Sequence, residues 1–236
     1  MNAKSDVMRK GFVVIICALA VAACGTNSES RTEPVARQTG APPITNATAS
    51  TRPRVVVLGD SLTAGLGLPI DEAYPSLLQK SIDEAGLRYE VVNAGVSGDT
   101  SAGGLSRLDW ALDGDVRVLI VALGGNDALR ALPVEELRKN LSTIIERAQA
   151  RHIQVVLAGM EAPRNFGRDY DVRFHQVYPD VAKTYMVPLV PFLLQDVAGI
   201  ERLNQRDGIH PTAEGAQIVA KNVWTVLKPL LANARS

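Results

Sequence analysis

The chain has few cysteines, no excess of charge of either sign, and one N-terminal apolar run that is too short to cross a bilayer. Two cysteines in 236 residues cannot build a disulfide scaffold. The 25 basic and 25 acidic side chains balance, which argues against a nucleic-acid partner because phosphate binding needs a clustered cationic surface. The apolar fraction of 46% excludes a wholly disordered chain.

The N-terminus has the pattern of an export signal. Three basic side chains in the first ten positions precede an uncharged run over 11–23, where a spanning helix would need about 20 apolar residues. This pattern predicts a signal peptide over 1–23. The run ends in Val21-Ala22-Ala23-Cys24, which resembles the bacterial lipobox, so Cys24 is the predicted lipid attachment residue. The alternative is an ordinary secretory signal followed by a chance cysteine.

Residues 24–53 differ in composition from the remainder of the chain. They hold Ser, Thr, Asn, Ala and four prolines without apolar periodicity, which predicts a flexible linker between the lipidated cysteine and a domain that begins at Arg54. Cleavage before Cys24 would leave 22 basic and 24 acidic side chains. We therefore expect an exported cell-envelope lipoprotein, held by its lipid anchor on the periplasmic face of the outer membrane where the cell has two membranes.

Short β-branched apolar runs alternate with helical periodicity from Arg54 onward. Five runs have the form of buried strands: 54–58, 89–92, 116–123, 153–158 and 187–190. Apolar stripes of helical spacing lie between them, and no internal repeat is evident. This alternation predicts a single α/β domain over 54–232, a three-layer α/β/α sandwich with a parallel central sheet.

The loops after the predicted strands are where such a sheet binds its ligand. Ser61 follows the first strand on a tight turn, where its hydroxyl could act as a nucleophile or simply cap a helix. His210 lies in Asp207-Gly208-Ile209-His210-Pro211, so that Asp207 could accept the imidazole Nδ1–H and leave Nε2 for the serine. His152 and His175 have the pattern of surface residues. A metal site is the rival interpretation, but neither a second histidine nor a cysteine pair offers ligand spacing.

Two further loops offer donors for an oxyanion. The loop after the second strand holds Gly98, which can present a backbone N–H, and the loop after the third holds Asn126, which can present its side-chain amide. Each loop alone is equally typical of a structural turn, since glycine-rich strand ends are common in turns.

Four motifs, GDSLTAG, SGDT, GGND and DGIHP, occur in this order, one in each expected loop. With them, residues 54–230 resemble the GDSL, or SGNH, hydrolase superfamily, and within it the bacterial acyl thioesterases, arylesterases and lysophospholipases. The resemblance implies a flavodoxin-like fold, with Ser61 as nucleophile, His210 as general base and then acid, and Asp207 as its orienting partner. It also implies an oxyanion hole made of the Ser61 N–H, the Gly98 N–H and the Asn126 amide. The implied acyl-binding wall comprises Leu66, Leu68, Met160, Pro163, Asn165 and Phe166.

The resemblance implies a serine esterase that hydrolyses carboxylic esters or thioesters of acyl chains through an acyl-enzyme. Its partner would be a small acyl ester or thioester, with neither cofactor nor metal, and a monomer is the default expectation. One alternative is an O-acetyl esterase that acts on envelope polysaccharide. Another is a catalytically silent envelope lipoprotein that uses the fold for binding.

Overall fold

The computed structural model describes residues 52–163 and 165–233. The predicted signal peptide, Cys24 and the predicted linker up to residue 51 lie outside the described residues. The last two linker positions are held against the domain, since Arg52 forms an ion pair with Asp83 at 2.9 Å and the carbonyl of Pro53 accepts the N–H of Glu90 at 3.0 Å. The first strand begins at Arg54, where the sequence predicts it.

Five parallel strands form one sheet in the order β2-β1-β3-β4-β5. They are β1 Arg54–Gly59, β2 Glu90–Gly95, β3 Val116–Ala122, β4 Gln154–Ala158 and β5 Leu189–Val190. All five predicted strands are confirmed. β1 and β3 lie at the centre and are almost continuously buried, because helices cover both faces of a parallel sheet. The chain reverses its direction of travel across the sheet between β2 and β3, which opens a crevice at the carboxyl ends of β1 and β3.

Eight α-helices flank the sheet in the described part of the chain: α1 Ser61–Ala64, α2 Tyr74–Glu84, α3 Ser101–Ser106, α4 Leu108–Ala111, α5 Gly125–Leu129, α6 Val134–Ala150, α7 Arg168–Tyr185 and α8 Ala213–Asn233. α2 packs against α8, whereas α6 packs against α3 and α7. The predicted apolar stripes of α2, α6 and α8 are the buried faces of these helices. The three-layer α/β/α architecture is confirmed. Within the described residues, no helix is both long enough and apolar enough to span a membrane.

An aromatic row begins just before α7 and continues along this helix. Phe166, Tyr170, Phe174 and Tyr178 follow one another at i, i+4 spacing, with ring centroids 5.8, 6.0 and 5.8 Å apart. At the buried end of the row the Tyr178 hydroxyl donates to the carbonyl of Leu123 at 3.0 Å. α7 is thereby joined to the segment that leads from β3 into α5.

Candidate active site

Ser61 is the first residue of α1, directly beyond the carboxyl end of β1. Asp60 is the N-cap of this helix, and its Oδ1 accepts the N–H of Leu62 at 3.0 Å. The capping role that the sequence leaves open for Ser61 therefore belongs to Asp60, and the Ser61 hydroxyl is free for another partner. The turn is tight enough to need glycine at position 59, where a Cβ would stand 1.9 Å from Oγ1 of Thr63.

The structure brings Ser61, His210 and Asp207 into one hydrogen-bonded row. Nε2 of His210 lies 2.8 Å from Oγ of Ser61, and its Nδ1 lies 2.6 Å from Oδ2 of Asp207. The carboxylate accepts the Nδ1 proton, which leaves Nε2 to accept the serine hydroxyl proton. The hydrogen bond from His210, together with two backbone N–H groups of the same turn, lowers the pKa of Asp207 to about 2.

The His210 loop is held from two sides. Asp207 Oδ1 accepts the N–H groups of Ile209 at 2.9 Å and of His210 at 3.0 Å, which closes the turn on the acid itself. The carbonyl of His210 accepts the N–H of Gln205 at 2.7 Å. These hydrogen bonds fix the turn that carries the His210 imidazole, and 15% of the His210 side-chain surface is exposed.

Asn126 and Gly98, the predicted oxyanion donors, lie on the neighbouring loops. The Asn126 Nδ2 donates to Oδ2 of Asp60 at 3.2 Å and to the carbonyl of Asp99 at 2.9 Å, so the amide lies beside the residue that precedes Ser61. Gly98 has a φ of +85°, in the left-handed region, and its carbonyl accepts a hydrogen bond from Arg130 at 2.9 Å. None of the described residues accepts the N–H of Gly98.

A buried carboxylate beside these donors was not identified from the sequence. Asp60 is 3% exposed. Burial raises its pKa from 3.8 to about 6, even though the hydrogen bonds from Leu62 and Asn126 and the nearby His210 favour the charged form. Its position, immediately before a serine that begins a helix, is the signal from which its capping role could have been predicted.

A second buried carboxylate joins two of the loops. Asp127 accepts the backbone N–H of Ser101 at 2.8 Å and its hydroxyl at 2.5 Å. The Ser101 oxygen in turn accepts Nδ2 of Asn140, from α6, at 2.9 Å. Because Ser101 begins α3 and Asp127 lies in α5, this network holds the loop after β2 against the loop after β3.

A groove of about 470 Å³ opens over Ser61, His210 and Asn126, a volume typical of small-molecule sites. Its other lining residues are mostly apolar: Leu62, Gly125, Leu129, Met160, Ala162, Pro163, Phe192, Leu194, Ala198, Gly208 and Ile209, with Asp60, Glu161 and Asn204.

Only part of the predicted acyl-binding wall lines this groove. Of the six predicted residues, Met160 and Pro163 lie on it. Leu66 and Leu68 instead line a cavity of about 10 Å³ that also touches Ser61 and His210, and they follow Gly65, which ends α1 with a φ of +75°. Asn165 and Phe166 are not among the groove-lining residues, and Phe166 packs edge-on against Tyr170.

A serine, a histidine and an aspartate in one hydrogen-bonded row at the carboxyl edge of a parallel sheet is the arrangement of a serine hydrolase. The family model described as "GDSL-like Lipase/Acylhydrolase family" matches residues 57–218. The chain belongs to this family.

Named relatives support the assignment. Esterase TesA of Pseudomonas aeruginosa is 43% identical over 178 residues, which cover 75% of this chain and 89% of the relative. Thioesterase 1/protease 1/lysophospholipase L1 of Escherichia coli K12 is 36% identical over 178 residues, 75% of this chain and 84% of the relative. Among solved structures, the psychrotrophic esterase EstA from Pseudoalteromonas sp., inhibited by monoethylphosphonate, matches with a TM-score of 0.72 and 30% identity, over 76% of this chain and 98% of that one.

Proposed function

We propose that this protein is a serine esterase that hydrolyses carboxylic esters and thioesters of acyl chains through an acyl-enzyme. The observation that carries the proposal is the row from Asp207 through His210 to Ser61, with bonds of 2.6 and 2.8 Å, at the floor of an apolar groove. The names of the relatives, esterase and thioesterase/lysophospholipase, agree with this chemistry.

In the first step, Oγ of Ser61 attacks the carbonyl carbon of the substrate while Nε2 of His210 takes the hydroxyl proton. The negative charge that develops on the carbonyl oxygen is stabilised by the N–H groups of Ser61 and Gly98 and by the Asn126 amide, whose 3.2 Å hydrogen bond to Asp60 gives way to the oxyanion. The Asp207 carboxylate stabilises the imidazolium that forms. When the tetrahedral intermediate collapses, the bond to the leaving oxygen or sulfur breaks, and His210 gives its proton to the released alcohol or thiol.

In the second step, a water molecule attacks the acyl carbon of the ester on Ser61. His210 takes a proton from this water, and the same donors stabilise the second oxyanion. Collapse breaks the bond to Oγ of Ser61, which regains its proton from His210. The products of the two steps are a carboxylic acid and an alcohol or thiol.

The groove indicates which side chains would contact the acyl group. Leu129, Met160, Pro163, Phe192 and Ile209 present an apolar wall beside Ser61, and burial of an apolar chain contributes about 0.8 kcal/mol for each methylene. An acetyl group would contact little of this wall. The groove therefore favours acyl chains of medium or greater length over the acetyl groups of the polysaccharide alternative.

Hydrolysis of p-nitrophenyl acetate, octanoate and palmitate by the full chain tests the proposal. We expect kcat/KM for the octanoate to exceed that for the acetate, and Ser61→Ala to abolish both hydrolysis and covalent labelling by a fluorophosphonate. Ser106→Ala is the matched control, because Ser106 is an exposed serine whose hydroxyl donates to the carbonyl of Gly103. Labelling of the Ser61→Ala protein would refute the assignment of the nucleophile.

We propose in addition that the protein is exported and anchored through a lipid on Cys24. The support is the sequence pattern over residues 1–24. The full chain, expressed in a two-membrane bacterium with radiolabelled palmitate, should incorporate label and sediment with the outer membrane. Cys24→Ser should lose the label, and equal labelling of both proteins would contradict the proposal.

A further inference from the structure

Arg107, at the junction of α3 and α4, donates three hydrogen bonds in three directions. Its Nε lies 2.6 Å from Oδ2 of Asp99, its Nη1 2.8 Å from the carbonyl of Ala94, and its Nη2 2.9 Å from the carbonyl of Gly59. The side chains of the Arg107–Asp99 ion pair are only 17% and 19% exposed. Water therefore screens this pair less than it screens an ion pair on the surface.

Two of the three acceptors of Arg107, Gly59 and Asp99, lie in the segments that carry the proposed oxyanion hole. Gly59 ends β1 two positions before Ser61, and Asp99 directly follows Gly98. The carbonyl of Asp99 also accepts Nδ2 of Asn126 at 2.9 Å. One guanidinium is thus joined, directly or through Asp99, to the segments that supply all three proposed donors.

The chemistry of the site requires arginine. A guanidinium is a rigid planar fork with donors on three nitrogens, so one side chain can hold three acceptors in a fixed geometry. A lysine ammonium is a single point on a flexible stem and cannot span them. Arg107 is not among the residues that line the groove.

We propose that Arg107 is a positioning residue of the oxyanion hole, acting through Gly59, Asp99 and Asn126 without touching substrate. This inference rests on the proposed esterase function. It predicts that loss of Arg107 selectively weakens stabilisation of the tetrahedral oxyanion. A role limited to folding predicts a lower melting temperature with unchanged turnover for each folded molecule.

The test compares Arg107→Lys with wild type in the full chain, using p-nitrophenyl octanoate and a trifluoromethyl ketone that forms a tetrahedral adduct with the serine. Turnover is expressed per folded molecule, from the fraction folded by circular dichroism. We expect kcat to fall about 10- to 100-fold, the range for a small misplacement of a reacting group. KM should change less than threefold, and affinity for the ketone should fall by a factor similar to that for kcat. The matched control is Arg147→Lys, which alters the Arg147–Asp109 ion pair between α6 and α4, whose side chains are 41% and 78% exposed, and should keep wild-type kcat.

A double-mutant comparison tests whether Arg107 acts through Asn126. In an Asn126→Ala background, Arg107→Lys should lower kcat by a smaller factor than it does in wild type, since groups that act through one another are not additive. Equal factors in the two backgrounds would overturn the inference, as would wild-type kcat and ketone affinity in folded Arg107→Lys. If that variant does not fold, Asp99→Asn replaces it, with the same expected drop in kcat and the same refutation by unchanged kcat. Hydrolysis by Ser61→Ala equal to that by wild type would instead refute the esterase proposal itself.

Discussion

Replacing Asp60 by asparagine should remove a loss of stability that wild type undergoes as the pH rises to neutral. Burial raises the pKa of Asp60 from 3.8 to about 6, so the folded protein keeps this proton up to about pH 6 while the unfolded chain releases it near 3.8. Unfolding in that interval releases a proton, and the free energy of unfolding therefore falls as the pH rises. At about 1.36 kcal/mol for each pKa unit, the contribution lost by neutral pH is about 3 kcal/mol. An asparagine side chain does not titrate, so the variant should escape this loss.

Urea unfolding of the two full chains, followed by circular dichroism at a series of pH values, measures the effect. The stability of Asp60→Asn relative to wild type should grow by about 3 kcal/mol between about pH 3.5 and about pH 7.5. The control is Asp71→Asn, which makes the same change of side chain at an exposed position. Parallel profiles for wild type and Asp60→Asn would refute the argument that a buried, costly carboxylate lies at position 60.

The same substitution should slow hydrolysis. The two oxygens of Asp60 accept hydrogen bonds from Leu62 and Asn126, whereas an asparagine has one oxygen and would turn an NH₂ group toward one of these donors. We expect the Leu62 cap to be kept and Asn126 to lose one of its two partners while it keeps the carbonyl of Asp99, so that kcat falls about 10- to 100-fold. A stabilised variant with unchanged kcat would show that Asp60 does not position Asn126.

Three further substitutions separate the parts of the site. Asp207→Asn removes the carboxylate that stabilises the His210 imidazolium, and kcat for p-nitrophenyl esters should fall on the order of 10³- to 10⁴-fold; a loss below tenfold would contradict its role. Tyr178→Phe leaves the Leu123 carbonyl unpaired, so urea unfolding should give a free energy lower by about 1–3 kcal/mol, and an unchanged value would show that water replaces the hydroxyl. Met160→Trp narrows the groove, so KM should rise for octanoyl but not acetyl esters, and equal changes would place the acyl chain elsewhere.

The strands could be predicted because a strand that is buried on both faces of a parallel sheet appears in the sequence as a continuous run of apolar residues. Four consecutive apolar residues, Val55–Leu58, can be recognised without knowledge of any partner. Around His175 the sequence indicates only a surface position, because charged side chains interrupt the buried stripe of α7. That stripe, Phe174, Val177, Tyr178 and Val181, has the helical spacing that would have identified it.

The candidate site was predictable where a motif carries it and unpredictable where distant residues meet. Ser61, Asp207 and His210 stand in short motifs whose chemistry can be inferred locally. The acceptors of Arg107 lie 8, 13 and 48 positions away along the chain, and only the packed sheet brings them together. Leu66 and Leu68 follow the left-handed turn at Gly65 and do not line the groove, a placement that two leucines in sequence do not reveal.

These observations place stability and activity in opposition at the carboxyl edge of the sheet. A carboxylate at position 60 costs about 3 kcal/mol near neutral pH, against a total stability of about 5–15 kcal/mol for a typical domain. Gly98 and Gly124, with φ of +85° and +116°, hold backbone conformations that other residues would adopt with strain. This edge keeps its geometry only if neighbouring groups hold it. The hydrogen bonds of Arg107 tie its loops to the ends of β1 and β2, and those of Asp127 and Tyr178 tie them to α6 and α7. Stabilising substitutions on the outer faces of the helices should therefore leave kcat unchanged. Substitutions that gain stability by removing the buried carboxylate or the unusual backbone conformations at this edge should lower kcat.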